Sequence, residues 1–233
     1  MQHVDNKGQP IGEKVLDWQG ATKPLAALIQ GRYCEMQPLE VERHSADLFA
    51  AFSEDLAGKN WTYLPANPPK NISEFKQWLA LTCNSNDPLF YAVVDKRSGL
   101  AIGMASLMRI DPGNGVIEVG HIHFSDQLQK TPLATEAMYL LMRQIFEWGY
   151  RRYEWKCDNL NAPSKKAAQR LGFSFEGIFR QAVVYKGRNR DTAWFSILDS
   201  EWAKQQGAFE RWLAVENFDD EGMQRQSLSE FNQ

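Results

Sequence analysis

Residues 116–150 open with Val116-Ile117-Glu118-Val119-Gly120-His121-Ile122-His123-Phe124, pass through Ser125-Asp126-Gln127-Leu128-Gln129-Lys130-Thr131-Pro132, and continue from Leu133 to Tyr150 as LATEAMYLLMRQIFEWGY. The first nine suit a strand in which Val116, Glu118, Gly120, Ile122 and Phe124 face one way and Ile117, Val119, His121 and His123 the other. From Leu133 the period lengthens, because Leu133, Ala137, Leu140, Leu141, Met142, Ile145 and Trp148 recur at three- and four-residue steps. That spacing is helical. Thr131-Pro132 suits the helix start, since threonine can cap and proline lacks only an N–H that the first turn leaves unpaired, and Gly149 ends the pattern. A strand, a polar loop and a helix N-terminus form an anion site: the first-turn N–H groups are free and the macrodipole adds about half a positive charge. Lys130 sharpens that charge.

Around this stretch the elements follow in order. Residues 1–30 have no sustained period and read as an arm lying on the domain or partly mobile. Gly31 to Pro38 suits a first strand, and a helix from about Ser45 carries Leu48, Phe49 and Phe52 before Gly58 stops it. Trp61 to Lys70 holds three prolines and two aromatics and is a loop with apolar anchors; the next helix starts after Asn71, capped by Asn71 or Ser73, with Phe75, Trp78, Leu79 and Leu81 inward. Leu89–Asp95, Leu100–Asp111 and Val116–Phe124, separated by Lys96-Arg97-Ser98-Gly99 and Pro112-Gly113-Asn114-Gly115, form an antiparallel meander. Arg152–Cys157 alternates as a strand, Pro163–Leu171 is a short helix closed by Gly172, and Phe173–Val184 and Thr192–Leu198 are two more strands. A helix from about Ser200 to Val215 follows, and Phe218–Gln233 reads as a loosely attached tail. The organisation expected is an arm (1–30), one α/β domain (31–199), and a C-terminal helix with its tail (200–233).

At 233 residues and 43% hydrophobic the chain can bury a substantial core. A net charge of −3 gives no global attraction to nucleic acid or to an anionic membrane. Cys34, Cys83 and Cys157 are widely spaced and odd in number, which suits a reducing compartment, and neither a signal-peptide pattern nor 18 successive apolar residues occurs. The expectation is a cytoplasmic protein, monomer or homodimer, with no nucleic-acid or membrane partner.

Gln129-x-x-Pro132-x-Ala134, followed by Thr135-Glu136-Ala137, resembles the Q/R-x-x-G-x-G/A pyrophosphate loop of the GNAT superfamily of N-acyltransferases. The Ala134-Thr135-Glu136-Ala137 run is similar to the branch that includes ribosomal-protein N-terminal-alanine acetyltransferases. Asn159-x-Asn161-x-x-Ser164, continuing through Ala168, Leu171-Gly172-Phe173 and Glu176-Gly177, is similar to the family's second cofactor-side motif, and the element order β-α-α-β-β-β-α-β-α-β-β over residues 31–199 is the family's order. Pro132 stands where the family usually has glycine, so one potential phosphate donor is lost. The resemblance implies a mixed, largely antiparallel α/β sheet flanked by helices and splayed at an acyl-CoA site. It implies acetyl-CoA as cosubstrate, with the backbone of Ile122, His123 and Phe124 along the pantetheine arm and Gln129, Lys130, Thr131, Leu133, Ala134 and Thr135 around the pyrophosphate. Asn159, Asn161 and Ser164 fall on the second motif.

Acetyl transfer to an amine needs a neutral nucleophile. An α-amino group with a pKa near 7.7 is partly neutral at pH 7, whereas deprotonating a lysine amine near 10.4 costs about 4 to 5 kcal/mol. Glu118, before Gly120, is the candidate base, acting directly or through water; its other reading is a structural ion pair. His123 is a second candidate base, since an unperturbed imidazole titrates near neutrality, although packed or hydrogen-bonded histidines are the more ordinary reading of the His121-x-His123 pair. No third ligand stands at a persuasive spacing, so no metal is expected. Ser164 either protonates the leaving thiol or caps its helix, and Asn159 and Asn161 either contact the cofactor or make a turn. Trp61, Tyr63, Arg109, Tyr185 and Arg188 fall on segments that would rim the acceptor cleft. The acceptor is a primary amine, of a protein or peptide N-terminus or of a small molecule; loss of the loop glycine also leaves open a non-catalytic CoA-binding module.

Overall fold

The alternating and helical runs assemble around one mixed sheet in the computed structural model, which describes residues 3–232. A small hairpin, β1 (His3–Val4) with β2 (Pro10–Ile11), precedes β3 (Ile29–Gln30), β4 (Cys34–Pro38), α1 (Val41–Ser53) and α2 (Ile72–Thr82). The meander is β5 (Leu89–Asp95), β6 (Ala101–Asp111) and β7 (Val116–Phe124), followed by α3 (Pro132–Glu147), β8 (Arg152–Asp158) and α4 (Ala162–Arg170). Then come β9 (Ser174–Tyr185), β10 (Arg188–Leu198), α5 (Asp199–Leu213) and the short α6 (Leu228–Phe231). The main sheet runs β3-β4-β5-β6-β7-β8-β10-β9, and β7 with β8 is its one parallel pair among the described residues. This is the mixed, largely antiparallel α/β architecture expected.

The two faces carry separate cores. Ile117 and Val119 of β7 and Tyr153, Trp155 and Cys157 of β8 pack with α3 and α5 on one face. Phe90, Ala92 and Met104 pack with Leu48, Phe52, Phe75 and Leu79 of α1 and α2 on the other. Thr131 caps α3, its hydroxyl accepting from Ala134 N at 3.2 Å, and Asn71 caps α2, accepting from Glu74 N at 2.9 Å. Gly149 and Gly172 follow α3 and α4 with φ of +83° and +92°.

Four details differ from the sequence expectation. The first strand is split into β3 and β4 by a turn at Gly31–Tyr33, because the buried Glu136 carboxylate of α3 accepts from the N–H groups of Arg32, Tyr33 and Cys34 at 2.7, 2.7 and 2.8 Å. Gly31 is needed there, since a Cβ would lie 2.6 Å from Glu136 Cδ. Helix α1 starts four residues early, at Val41, where His44 Nδ1 accepts from Glu40 N at 3.0 Å and so does the capping usually done by a hydroxyl or carboxylate. Leu81 points outward, 70% exposed.

The tail is attached. Leu228 is fully buried, and Asn217 ties the segment down by donating to Trp212 O and Gln226 O and accepting from Gln226 N. The arm lies on the domain through Trp18 Nε1, which donates to Gly113 O at 2.8 Å, and Thr22 N, which donates to Trp148 O. Met1 and Gln2, within the expected arm, and Gln233, within the expected tail, fall outside the described residues.

Replacing Glu136 with alanine strands three buried N–H groups at once. Glu136→Ala is expected to lower stability by about 3 kcal/mol or more, read from the urea midpoint, with amide exchange accelerated first at Arg32–Cys34.

Candidate active site

The site begins with a fault in one strand. Between β6 and β7 the register slips, so that Met104 opposes His123 while Ser106 opposes Gly120, and His121 sits at φ +47°. An extra residue in one strand of a pair is a β-bulge, which kinks that strand and re-aims its side chains. The bulge is pinned by Ser106 Oγ, which donates to Gly120 O at 3.2 Å. Gly120 is required, because a Cβ would collide with Met108 Sδ. In a regular strand Glu118 and His123, five apart, would face opposite ways; here they oppose Met108 and Met104, four apart on β6, and so share the α1–α2 face. The alternation expected across Val116–Phe124 therefore holds only as far as Gly120.

Beyond the bulge β7 leaves its parallel neighbour. The β7–β8 pairing runs from Val116 opposite Arg152 to Val119 opposite Trp155 and stops, while β7 continues against β6 to Phe124 and β8 against β10 to Asp158. The gap between them exposes the backbone of Gly120–Phe124 on the β8 side. Three segments meet over it: Tyr63 OH donates to Leu160 O at 3.2 Å, Lys186 Nζ donates to Trp61 O at 2.7 Å, and Tyr185 OH donates to buried Asp158 Oδ2 at 2.8 Å. Burial and the Asp158 carboxylate push the Tyr185 phenol up to about 12.

Glu118 lies at the start of this gap, 5% exposed, within a chain of alternating charges. Its Oε2 is 2.8 Å from Lys156 Nζ and 3.0 Å from Arg109 Nε; the same lysine is 2.7 Å from Glu154 Oε2, and Glu154 Oε1 accepts from Arg152 Nε at 2.7 Å. Arg152 then forks onto Glu176 at 2.7 and 2.5 Å, and Glu176 accepts from Ser196 Oγ. Lys156 is held inward, its side chain 5% exposed and its Nζ 3.8 Å above the Trp194 ring. Among the described residues no donor reaches the other Glu118 oxygen, Oε1, the one nearer Gly120. Burial pushes the Glu118 carboxyl above its usual value of 4.5, against the opposing pull of Lys156 and Arg109. One oxygen is anchored by two cations and the other is left to take a proton.

His123 sits deeper. It is 3% exposed, stacked on Phe52 at 3.8 Å and edge-on to Trp61 at 4.3 Å, with neither ring nitrogen hydrogen-bonded. Burial pushes its imidazole down to about 3, so it is neutral at pH 7 and a weak base there. His121, half-buried against Phe90, is lowered for the same reason.

At the start of α3 the loop's polar side chains are turned inward. Gln129 Nε2 donates to Phe124 O at 2.7 Å and to Asn60 Oδ1 at 3.1 Å, and the Thr131 hydroxyl donates to Leu128 O while it caps. Thr135 is buried with Oγ1 accepting from Arg170 Nη1 at 3.0 Å. Toward solvent the turn offers the exposed Lys130, at φ +61°, and the half-buried Leu133 and Ala134. At the second motif Asn161 caps α4 by accepting from Ser164 N, and Ser164 Oγ accepts from Trp155 Nε1 at 3.0 Å. Asn159 Oδ1 accepts from Lys165 Nζ at 3.2 Å.

The structure thus brings Glu118, Ile122, His123 and Phe124 to one edge of the gap and Asn159, Asn161 and Ser164 to the other, with residues 129–135 at the head of α3. Lys156, Glu154 and Asp158 were missed. The signal was present, because Arg152, Glu154, Lys156 and Asp158 place a charge at every second position of a central strand, where one face must then be polar.

A sheet opened between a bulged strand and its parallel neighbour, with a capped helix N-terminus beside the opening, is the architecture of an acyltransferase. The family model described as the acetyltransferase (GNAT) domain matches residues 35–174, more than half of the chain, which therefore belongs to the GNAT family of acetyl-CoA-dependent N-acetyltransferases. A crystal structure of a GCN5-related N-acetyltransferase from Brucella melitensis is 50% identical, with a TM-score of 0.92 over 94% of this chain and 99% of that one. A GNAT-family protein from Chromobacterium violaceum is 45% identical, with a TM-score of 0.78 over 84% of this chain and 98% of that one. The uncharacterized N-acetyltransferase p20 of Bacillus licheniformis is 30% identical over 118 residues, which span 48% of this chain and 64% of that protein.

Lys156 is the cation that Glu118 and Glu154 share. Lys156→Met is expected to raise the Glu118 carboxyl further, so the acidic limb of kcat/KM moves to higher pH, and to cost about 3 to 5 kcal/mol of stability through the stranded carboxylates. An unmoved acidic limb in a folded variant would separate Lys156 from the reacting carboxylate.

Proposed function

We propose that this protein transfers the acetyl group of acetyl-CoA to a primary amine, with a protein or peptide N-terminus as the acceptor, by direct attack in a ternary complex. The observation that carries this reading is Glu118, with one oxygen fixed by Lys156 and Arg109 and the other free beside the bulge where β7 and β8 part. Acetyl-CoA supplies the activated acyl group. The residues fit it: the free edge of Ile122, His123 and Phe124 offers amide partners for its arm, and Lys130 with the first-turn groups of Leu133 and Ala134 offers positive charge for its phosphates despite the N–H lost at Pro132. Asn159 and Asn161 border the far side.

In this reading Glu118 Oε1 takes the proton of the acceptor ammonium, directly or through one water, and the amine attacks the thioester carbonyl. The C–N bond forms as the C–S bond breaks, and the departing sulfur needs a proton. Ser164 lies on the β8 side of the gap, and because its Oγ accepts from Trp155 its own O–H remains to be donated. No cysteine is required: Cys34 and Cys157 are buried, and burial raises both thiols. An N-terminal acceptor suits a carboxylate only modestly above 4.5, because an α-amino group near 7.7 needs little help. One distant fold neighbour, 20% identical with a TM-score of 0.61, is a ribosomal L7/L12 alpha-N-protein acetyltransferase in complex with coenzyme A, and its acceptor class accords with this reading.

The test is a thiol-release assay with acetyl-CoA over peptides and alkyl amines, paired with calorimetry for CoA. Glu118→Gln is expected to slow amines of pKa near 10.4 by about 10²-fold or more and α-amino acceptors much less. Equal rates for wild type and variant on both classes would remove Glu118 from the chemistry. Tight CoA binding with no turnover of any amine would instead support a binding module.

A further inference from the structure

Beside Glu118, on the same face of β7, lies a cavity of about 130 Å³. Its walls are Leu64 and Ala66 from the loop between α1 and α2, Trp78 and Thr82 of α2, Met104 of β6, and the imidazoles of β7. No charged side chain lines it. The histidines in its wall are neutral at pH 7, because burial lowers both. Gly120, between the carboxylate and the histidines, presents no side chain, so a bare strip of strand joins the free Oε1 of Glu118 to the cavity. Three strand residues span about 10 Å, which sets the greatest separation between an amine at Glu118 and a group at His121.

We infer that this cavity takes the apolar substituent of the acceptor, so that the substrate is a primary amine carrying an uncharged alkyl or aryl group of up to about six heavy atoms within a few bonds of its nitrogen. The inference rests on the proposed function and narrows it. Size sets the upper bound, since a dry apolar cavity of about 150 Å³ in an unrelated protein accommodates benzene. Chemistry excludes the alternative of a charged substituent, whose ion would be left without a partner among Leu64, Trp78 and Met104. Continuity with Glu118 supplies the occupant: the group that enters is attached to the amine being acetylated.

Kinetics and binding test it separately. The expected result is that isoamylamine and phenethylamine exceed ethylamine in kcat/KM by tenfold or more, with 1,3-diaminopropane no better than ethylamine. Ala66→Phe, which fills the cavity from its loop wall, is expected to collapse the isoamylamine-to-ethylamine ratio; Thr82→Met fills it from α2 and replaces that variant if its melting temperature falls. Equal rates for isoamylamine and ethylamine, a preference for the diamine, or an unchanged ratio in a folded cavity-filled variant would each overturn the inference. If no amine is acetylated, the proposed function fails, and the cavity is still read by tryptophan fluorescence, because Trp78 lines it. Saturable quenching by isoamylamine in wild type and its loss in Ala66→Phe sustain the inference; the same response in both, or none in either, ends it.

Discussion

The parting of β7 from β8 after Val119 is the constraint on which the rest of the site depends. Strands in a sheet stay paired because each unpaired backbone group surrenders a hydrogen bond, so a deliberate separation needs something to hold it open. Here the bulge at Gly120–His121 re-aims β7 toward β6, and β10 holds β8 on its other side through Asp158. The opening is bounded by two well-paired strands rather than by loops, and groups set along it are positioned with the stiffness of the sheet. The first turn of α3 then stands at its end because the connection from β7 is only seven residues, Ser125 to Thr131.

A second requirement is that a buried carboxylate remain usable as an anion. Taking Glu118 out of water disfavours its charge, and two cations on one oxygen oppose that cost. They are unequal partners. Arg109, 60% exposed, is screened by solvent and contributes little to stability, whereas Lys156 is enclosed by Glu118, Glu154 and the Trp194 ring. The chain on to Arg152 and Glu176 keeps Glu154 paired as well, so no member of the row is left as a lone buried ion.

Much of the fold was legible in the sequence. Capping chemistry announced α2 at Asn71 and α3 at Thr131-Pro132, glycines marked the ends of α3 and α4, and the meander showed in its turns. What escaped depended on contacts distant in sequence. Glu136 splits the first strand from about a hundred residues away, His44 caps α1 with a ring that local rules do not count, and Asn217 binds down a tail whose composition is polar. The bulge escaped for a different reason: Gly120 alone does not say whether a strand is kinked, and it takes Met108 and Ser106 across the ladder to force the slip. Within the site, the motifs drew attention to Glu118 and to the residues around the gap, but strand alternation set Glu118 and His123 on opposite faces. The partners of Glu118 lie on β6 and β8, so they could be found only once the pairing was known.

The alternating row also bears on how an acceptor arrives. Arg109, Lys156 and Arg152 balance Glu118, Glu154 and Glu176, three charges of each sign within one patch. Such a patch has little net field a Debye length away, about 8 Å at physiological ionic strength. An ammonium group is therefore not drawn in from a distance by these six residues, and its encounter with Glu118 proceeds at an unsteered diffusional rate with weak dependence on salt. Recognition at this mouth is a matter of contact rather than of long-range attraction.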